Sequence, residues 1–142
     1  MTRVSFYFNA VDKLDTARKL AAKAFQAGQR TLLYTGDASV AQNLDQTLWT
    51  RPPLAFLPHV RCGHPLAAET PVLIGTDPEA MPAHDVLINL EPEPPACFAR
   101  FERLIELVGR DEADKARGRA RWQFYKSRGY ALDKVDLAGA GQ

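Results

Sequence analysis

Short apolar runs alternate along the chain with segments of helical periodicity. RVSFYF (3–8) and TLLY (31–34) are typical of strands, and shorter runs follow at AFLPH (55–59), PVLIG (71–75) and DVLINL (85–90). Strands separated by helices indicate an α/β domain in which helices pack on a sheet. TLLY carries no charge, so we expect it to be buried and parallel to the first strand.

The two N-terminal helices have recognisable start and stop signals. Asp12 can cap a first helix that ends at Gly28. Its apolar face comprises Leu14, Ala17, Leu20, Ala21, Ala24 and Phe25. Asp37 or Ser39 can begin the second helix, which must end before Pro52 because the residue before a proline avoids helical geometry.

The C-terminal third is predicted to contain two more helices. A stiff, non-helical connector, EPEPP (91–95), precedes them. One helix is predicted from about Cys97 to Val108 and the other from about Asp111 to Ser127, with Gly109 between them.

Composition favours one domain. The chain has 142 residues, 46% of them apolar, which suffices for one core over residues 1–137, while AGAGQ (138–142) is predicted to be a flexible tail. Eighteen Lys and Arg against 17 Asp and Glu give a formal charge of +1, which argues against non-specific duplex binding. No apolar run approaches the roughly 18 residues of a membrane span, and no secretory signal is recognisable, so a cytoplasmic protein is expected.

Catalytic motifs are largely missing. The first strand is followed by NAVDKLD, which has neither of the glycine-rich loops that bring backbone N–H groups against phosphates. YTGD (34–37) follows the second strand, and a turn with a helix cap explains it without a ligand. The sequence therefore predicts no nucleotide cofactor and no catalytic residue.

A metal site is not expected either. His59, Cys62 and His64 are zinc-ligand types and Cys97 could supply a fourth, but the spacing matches no usual zinc motif. A Cys62–His59 nucleophilic pair lacks a third group to orient the base.

The segment KARGRARWQFYKSRGY (115–130) is the strongest candidate for binding. It contains six basic and four aromatic residues and no Asp or Glu. On a helix, Lys115, Arg119, Trp122 and Lys126 form one stripe, whereas Ala116, Ala120 and Phe124 are predicted to face the core. Basic charge around aromatic rings suits a single nucleic-acid strand, and equally an acidic peptide with an aromatic end.

A second candidate surface is LWTRPPLAFLPH (48–59). Its prolines stiffen an aromatic loop, which would lose little entropy on binding a protein. Folding of this loop onto the domain's own core remains the alternative.

The chain resembles the chi subunit of bacterial DNA polymerase III holoenzyme, an accessory protein of the clamp loader. The resemblance covers most of the chain and is carried by VSFYF, by GQRTLLYTGDASVAQNLDQTLWTRPPLAFLPH, by the strands around PVLIG and DVLINL, and by RARWQFYKSRGY. The LW-x-x-P-x-x-FLPH segment is its most specific part. The resemblance implies a three-layer α/β/α domain with a mainly parallel sheet, Rossmann-like and helicase-like but without a nucleotide-binding loop.

The resemblance also implies two partners. One is the acidic C-terminal tail of single-stranded DNA-binding protein, which is rich in Asp and ends in Pro-Phe; the other is the psi subunit of the clamp loader. The tail-binding positions correspond here to Val108, Lys115, Arg119, Trp122 and Gln123, with Lys126 able to compensate for Gln123, which stands where a Lys is often found. The psi-binding surface corresponds to Trp49, Pro52, Phe56 and Pro58.

The resemblance therefore implies a non-catalytic adaptor in DNA replication that links the clamp loader, through psi, to single-stranded DNA-binding protein. The alternative is a protein that binds single-stranded nucleic acid directly through the same basic aromatic helix. A degenerate nucleotide-binding enzyme is a third, weaker interpretation.

Overall fold

The computed structural model describes residues 2–50, 59–61, 72–75, 85–95 and 98–138. They form seven strands, three helices and a 3-10 turn at Phe98–Arg100. In chain order the elements are β1 (Arg3–Ala10), α1 (Lys13–Gln26), β2 (Thr31–Tyr34), α2 (Ala38–Thr50), β3 (His59–Arg61), β4 (Val72–Gly75), β5 (Val86–Asn89), β6 (Arg103–Gly109), α3 (Glu112–Ser127) and β7 (Leu132–Asp136).

The described strands form one sheet in the order β3-β4-β2-β5-β6-β1-β7. Each neighbouring pair in it is parallel. The predicted α/β class with a mainly parallel sheet is confirmed. Strand β1 lies between β6 and β7, so the C-terminal strand β7 forms one edge of the sheet.

Apolar clusters cover both faces of the sheet. On one face, Ala17 and Ala21 of α1 and Leu44 of α2 pack with strand residues that include Leu33 and Ile88. On the other face, the cluster joins the 3-10 turn and α3 to strand residues. Parallel strands buried on both sides place helices on both faces, which gives three layers.

The helix signals read from the sequence are largely correct. The Asp12 side chain accepts a hydrogen bond from Asp15 N at 3.2 Å and caps α1, and Gly28 follows its end with a left-handed φ of 75°. Asp37 Oδ1 accepts a bond from Ser39 N at 2.9 Å at the start of α2. Phe25, expected on the buried face of α1, is 39% exposed.

The predicted helix from Cys97 to Val108 is wrong. This stretch contains the 3-10 turn and then β6, a strand whose two neighbours are β5 and β1. The prediction failed because the spacing of the apolar residues fits a helix at Phe98, Phe101, Leu104 and Val108. A strand buried on both faces is apolar at nearly every position, so it shows no clear period of two.

Strand β7 was not anticipated. Its five residues, LDKVD, include three charged side chains and none that is fully buried, as befits an edge strand. Residues 55–58 of the predicted AFLPH strand lie outside the described part of the chain. The last residue of that strand, His59, is the first residue of β3. The predicted tail, 138–142, also lies outside the described part except for Ala138. No described helix is long and apolar enough to cross a membrane.

Candidate peptide-binding groove

Helix α3 is rotated differently from the sequence prediction. The residues it buries are Asp114, Gly118, Arg121 and Tyr125. Ala116 and Ala120, predicted to face the core, are exposed, and Phe124 is half-buried. At about 100° per residue the true buried face lies about 130° around the helix from the predicted one. The prediction was wrong because it assigned small apolar residues to the core and did not consider that Arg121 could be buried.

Arg121 is buried because the sheet supplies acceptors for its guanidinium. Its Nε lies 2.9 Å from Glu106 Oε1 in an ion pair with side-chain exposures of 2% and 0%. Nη1 donates to the Pro92 carbonyl at 2.8 Å, and Nη2 donates to the Leu107 carbonyl at 3.2 Å. A buried guanidinium is tolerated when a carboxylate and carbonyls surround it in this way.

Glu106 is the centre of this buried polar network. Tyr125 OH donates to its Oε2 at 2.5 Å, and Asn89 Nδ2 lies 3.0 Å from both carboxylate oxygens. Burial raises the pKa of Glu106 to about 7, although Arg121, Tyr125 and Asn89 all favour the ionised carboxylate. Burial and the adjacent carboxylate also raise the pKa of Tyr125, so its hydroxyl remains a donor.

The N-terminus of α3 is fixed by two aspartates. Asp111 caps the helix by accepting a bond from Asp114 N at 2.6 Å. Asp114 accepts a bond from Gly109 N at 2.6 Å and pairs with Lys13 Nζ at 3.2 Å. Burial alone would raise the pKa of Asp114, but the Gly109 donor and Lys13 outweigh it and hold that pKa below its ordinary value.

Gly118 allows α3 to lie close to β6. A Cβ at this position would come within 2.7 Å of Val108 Cγ2, so a larger residue would require the helix or the valine to move. The absence of a side chain also leaves the surface open between Lys115 and Trp122, one turn before and after Gly118 along the helix.

A cavity of about 410 Å³ lies beside α3 at this point. We call it the α3 groove. It lies between α3, the carboxyl ends of β1 and β6, and the edge strand β7. Its lining residues are Phe6, Phe8, Asn9, Val108, Gly109, Lys115, Gly118, Arg119, Trp122 and Lys134.

The aromatic and aliphatic residues of the groove form a firm apolar surface. Phe6 and Val108 are 3% and 6% exposed, and Trp122 is half-buried. The rings of Phe6 and Trp122 meet edge to face, with centroids 5.1 Å apart and an interplanar angle of 65°. Such packing fixes the indole while leaving part of its surface available to a ligand.

The polar part of the lining is cationic. Lys115, Arg119 and Lys134 contribute three positive charges, and none of the lining residues is acidic. Lys115 Nζ lies 3.7 Å from Glu112 Oε1, but the Glu112 side chain is 86% exposed and such a surface pair is weak. Neither Arg119 nor Lys134 has an ion-pair partner within the described part of the chain. The groove therefore suits an anion that also has an apolar group to bury.

Four of the predicted tail-binding residues, Val108, Lys115, Arg119 and Trp122, line this one groove. The other two do not. Gln123 and Lys126 are exposed positions of α3 that do not line the groove.

The predicted psi-binding surface is largely outside the described residues. Trp49 belongs to α2, but its side chain is not among those described, and Pro52, Phe56 and Pro58 lie in the undescribed stretch 51–58. Of the weighed zinc ligands, Cys62, His64 and Cys97 also lie outside the described part, and the absence of a metal remains a prediction.

Sequence reasoning missed Phe6, Phe8, Asn9 and Lys134 as groove residues. The phenylalanines were assigned only to a strand, and Lys134 belongs to a strand that was not predicted. The sequence carried little strand signal around Lys134, because the apolar residues Leu132 and Val135 lie three positions apart and not two. Lys134 could not have been linked to α3 without knowing that β7 pairs with β1.

The turn after β2 has no vacant phosphate cradle. Gly36 N donates to Glu91 Oε1 at 2.7 Å, and Asp37 Oδ1 is occupied by Ser39 N and Ser39 Oγ. This turn lies at the carboxyl edge of the sheet, where α/β proteins commonly bind ligands. Here an acidic side chain occupies the backbone donor that a phosphate would require.

A solved structure of Saccharomyces cerevisiae Dbp5 bound to Nup159, Gle1, IP6 and ADP contains a chain with a similar fold. The TM-score is 0.66 at 12% identity, and the match covers 95% of this chain and 42% of that chain. At this identity the likeness concerns the fold alone.

Sequence comparison identifies closer relatives, each described as DNA polymerase III subunit chi. The Pseudomonas aeruginosa protein is 35% identical over 136 residues, covering 93% of this chain and 94% of that protein. The Haemophilus influenzae protein is 30% identical over 124 residues, with coverages of 87% and 86%, and the Escherichia coli K12 protein is 28% identical over 142 residues, with coverages of 94% and 97%. The family model for "DNA polymerase III chi subunit, HolC" matches residues 1–133. This chain therefore belongs to the DNA polymerase III chi subunit family.

Proposed function

We propose that this chi subunit is a non-catalytic adaptor that binds the acidic C-terminal tail of single-stranded DNA-binding protein in the α3 groove and joins the clamp loader through psi. The observation that carries the tail assignment is the combination of an apolar surface with a cationic rim. Phe6, Val108 and Trp122 can bury a terminal Phe ring, while Lys115 and Arg119 offer donors to the Asp carboxylates.

The shape of the site supports a peptide over a single nucleic-acid strand. Stacking of successive bases requires exposed aromatic faces. On α3, Tyr125 is fully buried, Trp122 packs on Phe6, and the Phe124 ring is covered by the Arg128 guanidinium at 3.7 Å. These rings serve the interior and one confined groove, which fits one apolar group better than a run of bases.

The non-catalytic part of the proposal rests on the turn after β2 and on the sequence after β1. Glu91 occupies the Gly36 donor, and NAVDKLD contains no phosphate-binding loop. We expect no heat of ATP binding by calorimetry at millimolar ATP. Stoichiometric ATP binding that is lost on changing Asp37 would contradict the adaptor assignment.

The psi part of the proposal depends on the family relationship. If psi docks on the segment that contains Trp49, Pro52, Phe56 and Pro58, then Trp49→Ala should weaken that association by about 2 kcal/mol or more, as is usual for an aromatic anchor. Tail binding should be unchanged. A Trp49→Ala protein that loses its native circular dichroism would instead identify Trp49 as a core residue.

The decisive test of the tail assignment is a titration with a fluorescent peptide of the host's own tail. Arg119→Ala should cost about 1.5–3 kcal/mol because charge-assisted hydrogen bonds are lost. Arg117→Ala is the control, since Arg117 is an exposed arginine of the same helix that does not line the groove. Because Arg117 pairs with Asp114 at 3.4 Å, thermal melting must show that this variant keeps its fold. Removal of the terminal Phe from the peptide should cost a similar amount to Arg119→Ala.

Competition separates this function from direct strand binding. A mixed-sequence oligonucleotide lacks a terminal aromatic ring beside a carboxylate, so it should displace the peptide poorly at physiological salt. Displacement at concentrations comparable with unlabelled peptide, or full binding of the peptide without Phe, would favour the single-strand function instead.

A further inference from the structure

Lys134 occupies a special place in the edge strand. Strand β7 pairs with β1 in a register that sets Lys134 directly beside Phe6, and Leu132 beside Val4. Because side chains alternate along a strand, Lys134 faces the same side of the sheet as Phe6 and therefore faces α3. Its side chain lines the α3 groove, so β7 forms the wall opposite Lys115 and Arg119.

The acidic residues that flank Lys134 are bound to other partners. Asp133 faces the other side of the sheet and lies 3.3 Å from Arg3 Nε. Asp136 shares the face of Lys134 but accepts bonds from Asn9 Nδ2 at 2.9 Å and from Ala138 N at 3.0 Å. Among the described residues, Lys134 is thus an exposed cation without an ion-pair partner, directed along an apolar groove.

The end of β7 is held firmly against β1 at this position. Asn9 adopts a left-handed φ of 64°, and the register of β1 with β6 shifts between Tyr7 and Ala10. Asparagine tolerates this conformation better than most residues, and a local bulge redirects side chains. The Asn9 bond to Asp136, together with the bond from Leu137 N to Phe8 O at 3.0 Å, fixes the wall that carries Lys134.

We propose that Lys134 is a third cationic contact for the acidic tail, and that the bound peptide lies between α3 and β7. This inference rests on the proposed function. Consecutive side chains of an extended peptide point to opposite sides. An Asp-rich segment can therefore direct one carboxylate to Lys115 or Arg119 and the next to Lys134, while its terminal ring enters the apolar part of the groove. Charge complementarity on both walls selects an acidic peptide over a neutral one.

The test compares Lys134→Ala and Lys134→Glu with wild type in the tail-peptide titration. Lys134→Ala should weaken binding about 3–10-fold and Lys134→Glu more than about 10-fold, because the second replaces attraction by repulsion. Lys23→Glu is the matched control, since it makes the same charge change in α1 on the opposite face of the sheet and should leave binding unchanged. Thermal melting of each variant checks that the fold is retained.

A set of peptides with one Asp replaced by Asn at a time locates the contact. One of these replacements should weaken binding to wild type but have little further effect on Lys134→Ala, which identifies the carboxylate that Lys134 meets. If Lys134→Glu binds as tightly as wild type while Arg119→Ala does not, the β7 contact is refuted and the tail assignment stands. If wild type binds no tail peptide, the proposed function fails and this inference fails with it.

Discussion

The substitution Glu106→Gln keeps the size of a fully buried side chain and removes its ability to ionise. Burial raises the pKa of Glu106 from an ordinary 4.5 to about 7 in the folded protein. Between these values the folded state retains a proton that the unfolded state has already released. Stability therefore falls as the pH rises through this window, by roughly 3 kcal/mol at 1.36 kcal/mol per pH unit. The contribution is fully present below the unfolded pKa and is lost above the folded one.

The assay is urea denaturation of wild type and Glu106→Gln at pH values on either side of the window, about 4 and 8. Other titrating groups are common to both proteins, so the difference in free energy of unfolding isolates Glu106. The stability of the Gln variant relative to wild type should increase by roughly 3 kcal/mol as the pH rises from about 4 to about 8. Glu112→Gln, at an exposed position at the start of α3, should show no such shift. Parallel pH profiles for wild type and Glu106→Gln would refute the raised pKa and indicate a carboxylate that stays ionised in its bonds to Arg121.

Three further substitutions test the attachment of α3. Gly118→Ala should destabilise the folded protein by about 1 kcal/mol, despite the helix propensity of Ala, because the added Cβ meets Val108. Thermal melting measures this loss, and a raised melting temperature would contradict the close approach of α3 to β6. Asp114→Asn should lose less stability than wild type on acidification from about pH 5 to pH 3. The pKa of Asp114 is lowered by folding, so the stability that its carboxylate contributes is lost when acid protonates it. Equal losses for the two proteins in urea titrations would contradict this prediction. Arg121→Met should cost about 3–5 kcal/mol at about pH 8, where Glu106 is ionised in the wild type and would lose its cation. Urea denaturation measures this loss, and an added Glu106→Gln should recover part of it.

The fold class could be predicted because the local signals agreed with one another. Asp12 and Gly28 marked both ends of α1, and TLLY was a buried strand without competing periodicity. Residues 98–108 could not be predicted in the same way. A strand buried on both faces is apolar for tertiary reasons, and its spacing then fits a helix as well as a strand.

The groove was partly predictable for a different reason. Lys115, Arg119 and Trp122 share one side of α3, which any helix through this sequence would preserve. Lys134 could not be found because it reaches the groove only through the pairing of β7 with β1. The burial of Arg121 was not predicted, because its partner Glu106 is remote in sequence and lies in a stretch that was assigned to a helix.

The rotation of α3 about its axis follows from directional bonds more than from apolar packing. Turning the helix by one residue, about 100°, would remove Arg121 from Glu106 and from two carbonyls, and Tyr125 from its acceptor. Apolar contacts alone tolerate such adjustments far better than hydrogen bonds do, since hydrogen bonds weaken steeply with angle. The buried polar side of α3 therefore determines which residues its other side presents. Arg119 and Trp122 lie in the groove because residues that do not line it hold the helix in one orientation.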